Sequence, residues 1–366
     1  PPIMRKVLKH AENVKLILLS ATPMFNRAEE IVDLVNLMLL NDNRPLMNVK
    51  DIFENGEITQ EGKEILISKI SGYVSYLRGE NPINFPQKLD PLENSYTKLI
   101  SKSSYPKKDL NNNKLEEGHR INFLKVIGCP MSSLQYEVYK KYTKNKEKEG
   151  GFFDTIGLQL CNIVCNNDIN TKEKDIDYLE SYYGGKGFRN IIDVENDVNN
   201  NILFNFRNEK IRDMFELENI KSLSTKMYSV LRGLDEAKGI CFIYSQFKWA
   251  GVYPLAVALE LMGYANYGRN LVPRKYIKNP KKTMLDKNGN VKQLKYLLIT
   301  GDSNDDFNKY KKQEHNNTDG SLLKVILGTK AAGEGLNILY VREVHVLEPW
   351  FHLNRLEQVI GRGIRN

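Results

Sequence analysis

Four cysteines in 366 residues are too few to knit a disulfide framework. Cys161 and Cys165 have the i,i+4 spacing of a shared helix face, but no second pair stands near them to complete a zinc site. Cys129 and Cys241 fall in apolar, strand-like runs and read as buried thiols, and such sparse cysteine fits a reducing, intracellular compartment. No apolar run approaches the roughly 20 residues that span a bilayer, so no membrane partner is expected. The opening, Pro1-Pro2-Ile3-Met4-Arg5-Lys6, runs directly into a helical pattern, which is not the layout of a secretory leader. Nowhere does Gly-x-x-x-x-Gly-Lys-Ser/Thr occur. Tyr183-Gly184-Gly185-Lys186-Gly187 is glycine-rich but wrongly spaced for it. The sequence therefore holds no self-contained cradle for a triphosphate.

What is present is enough for about two domains, with a 41% hydrophobic share for their cores. A net charge of +8 favours anionic partners, though a lysine-rich protein of any function can show it. The abundant asparagine, including Asn111–Asn113 and Asn199–Asn201, says nothing of chemistry. Near the start, an apolar run Val14–Leu19 reads as a strand, followed by an amphipathic helix over Ala28–Leu40 whose Ile31, Leu34, Val35 and Met38 recur at helical spacing. A second helical stretch, Glu61–Ile70, leads to an extended run Tyr73–Arg78, and prolines 82, 86 and 91 then break regular structure. Residues 101–120 read as linker. After strand-like Phe123–Cys129, Ser132-x-x-Gln135 has the form of a capping box opening a helix through Tyr142.

Residues 143–220 are charged and weakly periodic and read as a partly ordered insertion. From Leu223 the pattern sharpens: helix 223–235, strand 239–244, helix 247–262, a Lys/Tyr/Gly/Asn-rich insertion 265–294, strand 296–300, helix 304–316, strand 322–327, and strand 343–347 before a last helix. Short apolar strands separated by helices predict an α/β fold, a parallel sheet covered on both faces.

Three segments carry candidate chemistry. Gln358-x-x-Gly361-Arg362-x-x-Arg365 puts two arginines on one side of a helical turn, where rigid guanidinium forks suit phosphate oxygens. Gly328-Thr329-Lys330-Ala331-Ala332-Gly333-Glu334-Gly335-Leu336-Asn337 follows an apolar run; its glycines allow close backbone approach to a ligand, and Thr329 can donate to a phosphate. Leu19-Ser20-Ala21-Thr22-Pro23 places two small hydroxyls where open α/β sheets bind ligands, although Thr22-Pro23 also reads as a plain helix start. Ser245-Gln246-Phe247 sits at another strand end. His345, within an apolar strand, reads as a satisfied core residue. The Lys-rich stretch Arg274–Lys295 reads either as a solvated loop or as a nucleic-acid-binding wing.

Taken in order, the Ser20 segment, Gly239–Phe247, the Thr329 segment and the terminal Arg pair resemble motifs III to VI of the superfamily 2 helicases and translocases. Glu348-Pro349-Trp350 and the run Cys129–Tyr139 resemble the Swi/Snf-type branch, and the whole is most similar to helicase-like transcription factors and NTPases of large DNA viruses. The resemblance is strong at the ends of the chain and weak in its middle. It implies a RecA-like fold of the P-loop NTPase helicase type: residues 1–90 as the tail of the first lobe, 91–120 as linker, and 121–366 as the second lobe with insertions at about 143–220 and 265–294. It implies ATP and Mg²⁺ as cofactors, held mainly by motifs I and II. Neither motif is in this sequence, and no Asp-Glu pair stands shortly before Ser20, so the chain is expected to be a fragment that hydrolyses no ATP alone.

The site residues implied are Arg362, Arg365 and Gln358 for catalysis; Gly333, Glu334, Gly335 and Gly361 for nucleotide; and Ser20, Thr22, Ser245, Gln246, Thr329, Lys330 and Trp350 for nucleic acid and coupling. Nucleic acid is the implied partner, DNA in preference to RNA, with viral transcription machinery, viral factories or virions as the setting. Two alternatives stay open: a non-catalytic binding or scaffold module derived from a motor lobe, and the motor subunit of a restriction enzyme.

Overall fold

The computed structural model describes the chain except residues 1, 21–22, 25–26, 76–88, 92, 94–97, 102–103, 109–112, 117–125, 147–154, 166–178, 198–200, 302–304, 331–336, 349–352 and 364–366. It divides into two units, residues 1–81 with 350–357, and residues 82–349 with 358–366.

In the first unit, helices Pro2–His10, Glu30–Asn41 and Gln60–Ile70 accompany a small antiparallel hairpin, β1 (Phe53–Glu54) and β2 (Glu57–Ile58). Val32, Val35 and Leu39 recur at helical spacing and bury against Met47, Ile52 and Phe53. Asn36 is tied into this core by a reciprocal pair: its amide donates to Met47 O and its Oδ1 accepts Met47 N. Thr59 caps the third helix by accepting Gly62 N at 2.9 Å. A Cβ at Gly62 would stand 2.2 Å from Ile52 O, so only glycine lets this helix approach.

Residues Val14–Leu19, expected as a strand, form none, and Leu19 is 92% exposed. A lone extended segment has no ladder to join, whatever its apolar content. Tyr73 lies in a turn after the third helix instead of an extended run, its hydroxyl donating to Asp42.

The second unit contains the expected α/β architecture. Strands β3 (Lys98–Leu99) and β4 (Ile127–Gly128) form a short antiparallel pair; β4 is all that forms of the run expected over Phe123–Cys129 among the described residues. β5 (Ile192–Asn196) and β6 (Ile202–Phe206) form a hairpin. The main sheet takes β7 (Ile240–Tyr244), β8 (Ala265–Asn266), β11 (Lys295–Ile299), β12 (Val325–Gly328) and β13 (Val341–Val346) in the order β13-β7-β12-β11-β8, all parallel. A second hairpin, β9 (Thr283–Leu285) and β10 (Val291–Gln293), interrupts it between β8 and β11.

Parallel strands are buried on both faces, which is why β7 reads Ile-Cys-Phe-Ile-Tyr without alternation. Cys241 and Ile243 join one core with Val325, Leu327 and the helices Thr225–Gly233 and Tyr253–Leu261. Ile240, Phe242 and Tyr244 join the other with Ile326, Phe307 and Tyr310, the last two from helix Asp305–Lys311. Every residue of Tyr253–Leu261 is buried; each Leu or Val sequestered there contributes roughly 1.5–3 kcal/mol.

Within 143–220, read from the sequence as a partly ordered insertion, the described residues contribute to the core. Phe188, Phe204, Phe206 and Phe215 enter the larger core, with Phe188 and Phe204 edge to face at 5.3 Å. These aromatics come from helix Gly184–Ile191, the β5–β6 hairpin and the end of helix Glu209–Met214, elements too short to show periodicity. Cys161 and Cys165 do not share a helix: Thr155–Asn162 ends between them, and Cys165 donates its amide to Tyr182 O. Cys129 is only half-buried, because β4 lies outside the main sheet. Among the described residues, no helix is long and apolar enough to cross a membrane.

Candidate functional site

The carboxyl ends of four neighbouring strands, β13, β7, β12 and β11, meet at one edge of the sheet. Ser245 N donates to Gly328 O at 3.0 Å, joining the loops after β7 and β12; Leu347 N donates to Tyr244 O at 3.0 Å, joining those after β13 and β7. Thr329 N donates to Ile299 O at 3.0 Å. Parallel α/β sheets place ligands at this edge, where loops from adjacent strands can act together.

Glu348 is the centre of the arrangement. Only 2% exposed, its carboxylate accepts the Ser245 hydroxyl at 2.7 Å, the Asn162 amide at 2.7 Å and the backbone N–H of Gln246. Asn162 is in turn bonded by Lys226, whose ammonium donates to Asn162 Oδ1 and to Leu347 O, each at 2.8 Å. A buried carboxylate is costly unless its lone pairs are satisfied and a cation is near. Here burial still pushes the Glu348 carboxyl above its ordinary value and the Lys226 ammonium below its own, while each supports the other's charge. Ser224 donates to Asn162 O and accepts Met227 N as the cap of helix Thr225–Gly233. The Ser132/Gln135 capping box is present: Gln135 N donates to Ser132 Oγ at 3.1 Å, and Gln135 also accepts Thr225 N. Helices from distant parts of the chain are thus tied to one edge.

The close approach of the turn Lys248–Val252 is set by Gly251, where a Cβ would stand 2.0 Å from Ser245 Oγ. Ser245 is fully buried and its hydroxyl is committed to Glu348, so its place is inside the edge. The Gln246 side-chain nitrogen is buried without a hydrogen-bond partner among the described residues. Thr329 is buried, its hydroxyl donating to Ile299 O at 3.3 Å, and Lys330 beside it is exposed.

Gln358, Gly361 and Arg362 lie on the helix Leu353–Gly363. Val359 is buried in the second core, and Gly363 lies over Val341 and Val344, where a Cβ would stand 2.9 Å from Val344 Cγ2. That Val359/Gly363 stripe seats the helix on β13. Gln358 and Arg362, also four apart, form the adjoining half-buried stripe. The Arg362 carbonyl accepts Ile338 N at 3.4 Å, so this residue sits by the loop before β13, at the opposite end of that strand from Glu348. A Cβ at Gly361 would meet nothing within 4 Å. Ser20 is exposed in the first unit. Thr22, Gly333, Glu334, Gly335, Trp350 and Arg365 lie outside the described residues.

His345, expected in a core, sits half-buried on β13 because that strand is an edge; its Nε2 is 3.0 Å from Glu343 Oε2. Cys241, Glu343 and His345 bring their ligand atoms within 4.8 Å of one another. Burial pushes the Cys241 thiol up to about 12, which keeps it protonated. This sulfur and imidazole set does not match the all-oxygen shell that Mg²⁺ takes. Asn162 and Lys226 escaped the sequence reading altogether; no spacing links them to Glu348, which lies 186 and 122 positions further on.

Residues 259–366 match the family described as "Helicase conserved C-terminal domain". Similar proteins include "Putative ATP-dependent RNA helicase L377" of Acanthamoeba polyphaga mimivirus, 25% identical over 99% of this chain and 34% of that protein. A second from the same virus, "Putative ATP-dependent RNA helicase R563", is 26% identical over 97% of this chain and 51% of that protein. The "Termination factor NPH-I homolog" of African swine fever virus is 30% identical over 39% of this chain and 23% of its own length. The α/β fold is consistent with a RecA-like helicase C-terminal lobe, residues 259–366 match the helicase C-terminal domain, and the chain is distantly homologous to proteins of large DNA viruses named as putative RNA helicases and as a termination factor NPH-I homolog. It spans about a third to a half of the length of the mimivirus relatives.

Proposed function

We propose that this chain supplies the second lobe of an ATP-dependent nucleic-acid motor, a helicase or duplex translocase working in viral transcription. The observation that carries this reading is the seating of Gln358 and Arg362: a buried Val359/Gly363 stripe fixes the helix on β13 and turns a glutamine and an arginine, one turn apart, onto its neighbouring face. A fixed guanidinium there serves phosphoryl transfer by stabilising charge that spreads over the phosphate oxygens. Arg362 and Arg365 act on a triphosphate held by a partner half, with Gln358 ordering the attacking water. Mg²⁺, where bound, neutralises phosphate charge. Gly333, Glu334, Gly335 and Gly361 line the nucleotide side. Ser20, Thr22, Ser245, Gln246, Thr329, Lys330 and Trp350 couple it to the track. The buried Ser245 does so by holding its loop through Glu348, and the exposed Lys330 by meeting phosphate.

In this reading residues 1–90 belong to the first lobe, 91–120 link the two, and 121–366 are the second lobe. In this reading the largely exposed apolar run Val14–Leu19, which forms no strand here, would pair into the sheet of the first lobe. The Swi/Snf-type motifs favour DNA as track; the names of the mimivirus relatives point to RNA. The chain alone, with no phosphate cradle in its sequence, hydrolyses no ATP.

The test is twofold. Purified chain should show no nucleic-acid-stimulated ATPase. In a longer protein bearing a Gly-Lys cradle, Arg362→Ala should cut kcat by about 10³ with nucleic-acid affinity nearly intact. Turnover by the isolated chain, or an unchanged kcat in the Arg362→Ala protein, overturns the reading.

A further inference from the structure

We propose that residues 274–295 form a nucleic-acid contact in which basic side chains take phosphates and the Leu285–Val291 pair packs on an exposed base at the end of a duplex. The proposal rests on nucleic acid being the partner, as argued above, and decides between the two sequence readings of this stretch, a solvated loop or a nucleic-acid-binding wing, by giving its hairpin a specific contact. This segment holds eight Lys and Arg against one Asp, a local charge of +7 where the whole chain carries +8. Nearly the entire electrostatic bias of the protein sits in one interruption between β8 and β11.

Part of that charge is spent internally. Lys278 pairs with Glu209, Lys282 with Asp235, and Lys292 lies 3.8 Å from Asp286. Arg274, Lys275, Lys281 and Lys287 are exposed and have no acidic partner among the described residues. Lys275 lies over the Tyr276 ring, 4.8 Å from its centroid.

The segment is also built, where a solvated lysine loop would not be. Glu260, buried in helix Tyr253–Leu261, accepts Leu271 N and Val272 N at 2.8 Å each and the Tyr296 hydroxyl at 2.6 Å, pinning the start of the segment to the sheet. Arg212 donates to Tyr276 O at 3.0 Å and Asn279 to Leu261 O at 2.6 Å. Lys282 N donates to Gly263 O and accepts Leu294 N at its own carbonyl. A Cβ at Gly263 would stand 2.1 Å from Pro280 O. The hairpin turn is closed by Asp286, which accepts Asn288 N and Asn290 N, and Lys287 N donates to Asp319. Charges on a pre-ordered scaffold lose less freedom on binding.

The hairpin places its apolar residues unequally. Met284 packs against the larger core, while its neighbour Leu285 and the residue opposite, Val291, are 62% and 68% exposed on the other face. Single exposed apolar residues are ordinary. Two facing each other across a hairpin, inside the most basic stretch of the chain, form an exposed apolar pair in a strongly cationic segment. Bases at a duplex end offer the matching surface, an apolar face beside a line of phosphates, and apolar side chains are known to wedge against base steps.

The test is fluorescence anisotropy of the full chain, without ATP, with labelled single-stranded, blunt-duplex and forked oligonucleotides between 50 and 200 mM salt. Substituting Arg274→Gln, Lys281→Gln and Lys287→Gln together should lower the slope of log affinity against log salt by about 2 to 3. Leu285→Ser with Val291→Ser should weaken fork binding several-fold at unchanged slope and leave the blunt duplex unaffected. All five positions are exposed, so thermal melts should be unchanged, which keeps binding losses interpretable. Wild-type binding that is insensitive to both variants sinks this inference and leaves the motor reading standing. Polyglutamate competing as well as single-stranded nucleic acid, charge for charge, sinks it in favour of an acidic protein partner. A chain that binds no oligonucleotide at all removes the nucleic-acid partner and this surface with it.

Discussion

The Glu348 carboxylate accepts the Ser245 hydroxyl at 2.7 Å, across 103 residues of sequence. That bond joins the loop after β13 to the loop after β7, and Asn162 and Lys226 extend it into two helices. The carboxylate does not merely fill space. It is the acceptor on which three separate donors depend.

Replacing Glu348 with Ala should therefore cost about 3–5 kcal/mol, because it strands buried donors and leaves Lys226 without its counter-charge. Glu348→Gln keeps the shape and one acceptor and should cost about 1–3 kcal/mol. Urea denaturation of the purified chain measures both; a loss under about 1 kcal/mol for the alanine variant would show that the network contributes little.

Glu260 predicts a dependence on pH. Burial raises its carboxyl from the ordinary 4.5 to about 7, against the opposing pull of its bonds from Tyr296, Leu271 and Val272. Between those two values the folded state holds a proton that the unfolded chain has released. Its stabilising contribution is thus full below about pH 4.5, falls as pH rises, and is gone above about 7. The change is on the order of 3 kcal/mol. Thermal melts of wild type and Glu260→Gln across this window should diverge by that amount; parallel profiles would refute the assignment.

At Gly251 the prediction is steric. An added methyl would stand 2.0 Å from Ser245 Oγ and 2.6 Å from Ser245 Cβ, in backbone held by buried neighbours. Gly251→Ala should destabilise by about 1–3 kcal/mol as an overpacked core does. Pairing it with Ser245→Ala removes only the nearer clash, so the two changes should be non-additive by about 0.5 kcal/mol or more. Additive losses would mean that the turn Lys248–Val252 moves away freely.

Much of the second unit was legible because its physics is local. β7, β11 and β12 announce themselves as unbroken apolar runs, since parallel strands bury both faces, and the Ser132/Gln135 box needs only four residues to be seen. Legibility failed where a residue's state depends on a distant neighbour. Val14–Leu19 has the composition of a strand and no ladder to join. His345 has the flanks of a core residue, yet lies on the edge strand. Residues 143–220 show no repeating pattern because their elements are too short, so the part their described phenylalanines take in the larger core could not be read from the sequence.

The sequence by itself determined the alternation of helix and strand, the arginine pair and the concentration of charge in 274–295, because each is written in consecutive residues. Only the tertiary structure decided that Glu348, Ser245, Asn162 and Lys226 share one buried edge, and that the basic segment is a pinned hairpin with an apolar face. Chain order fixes what a residue can donate or accept. Which partner it meets is set by the stacking order of parallel strands, in which neighbours in space are far apart in sequence.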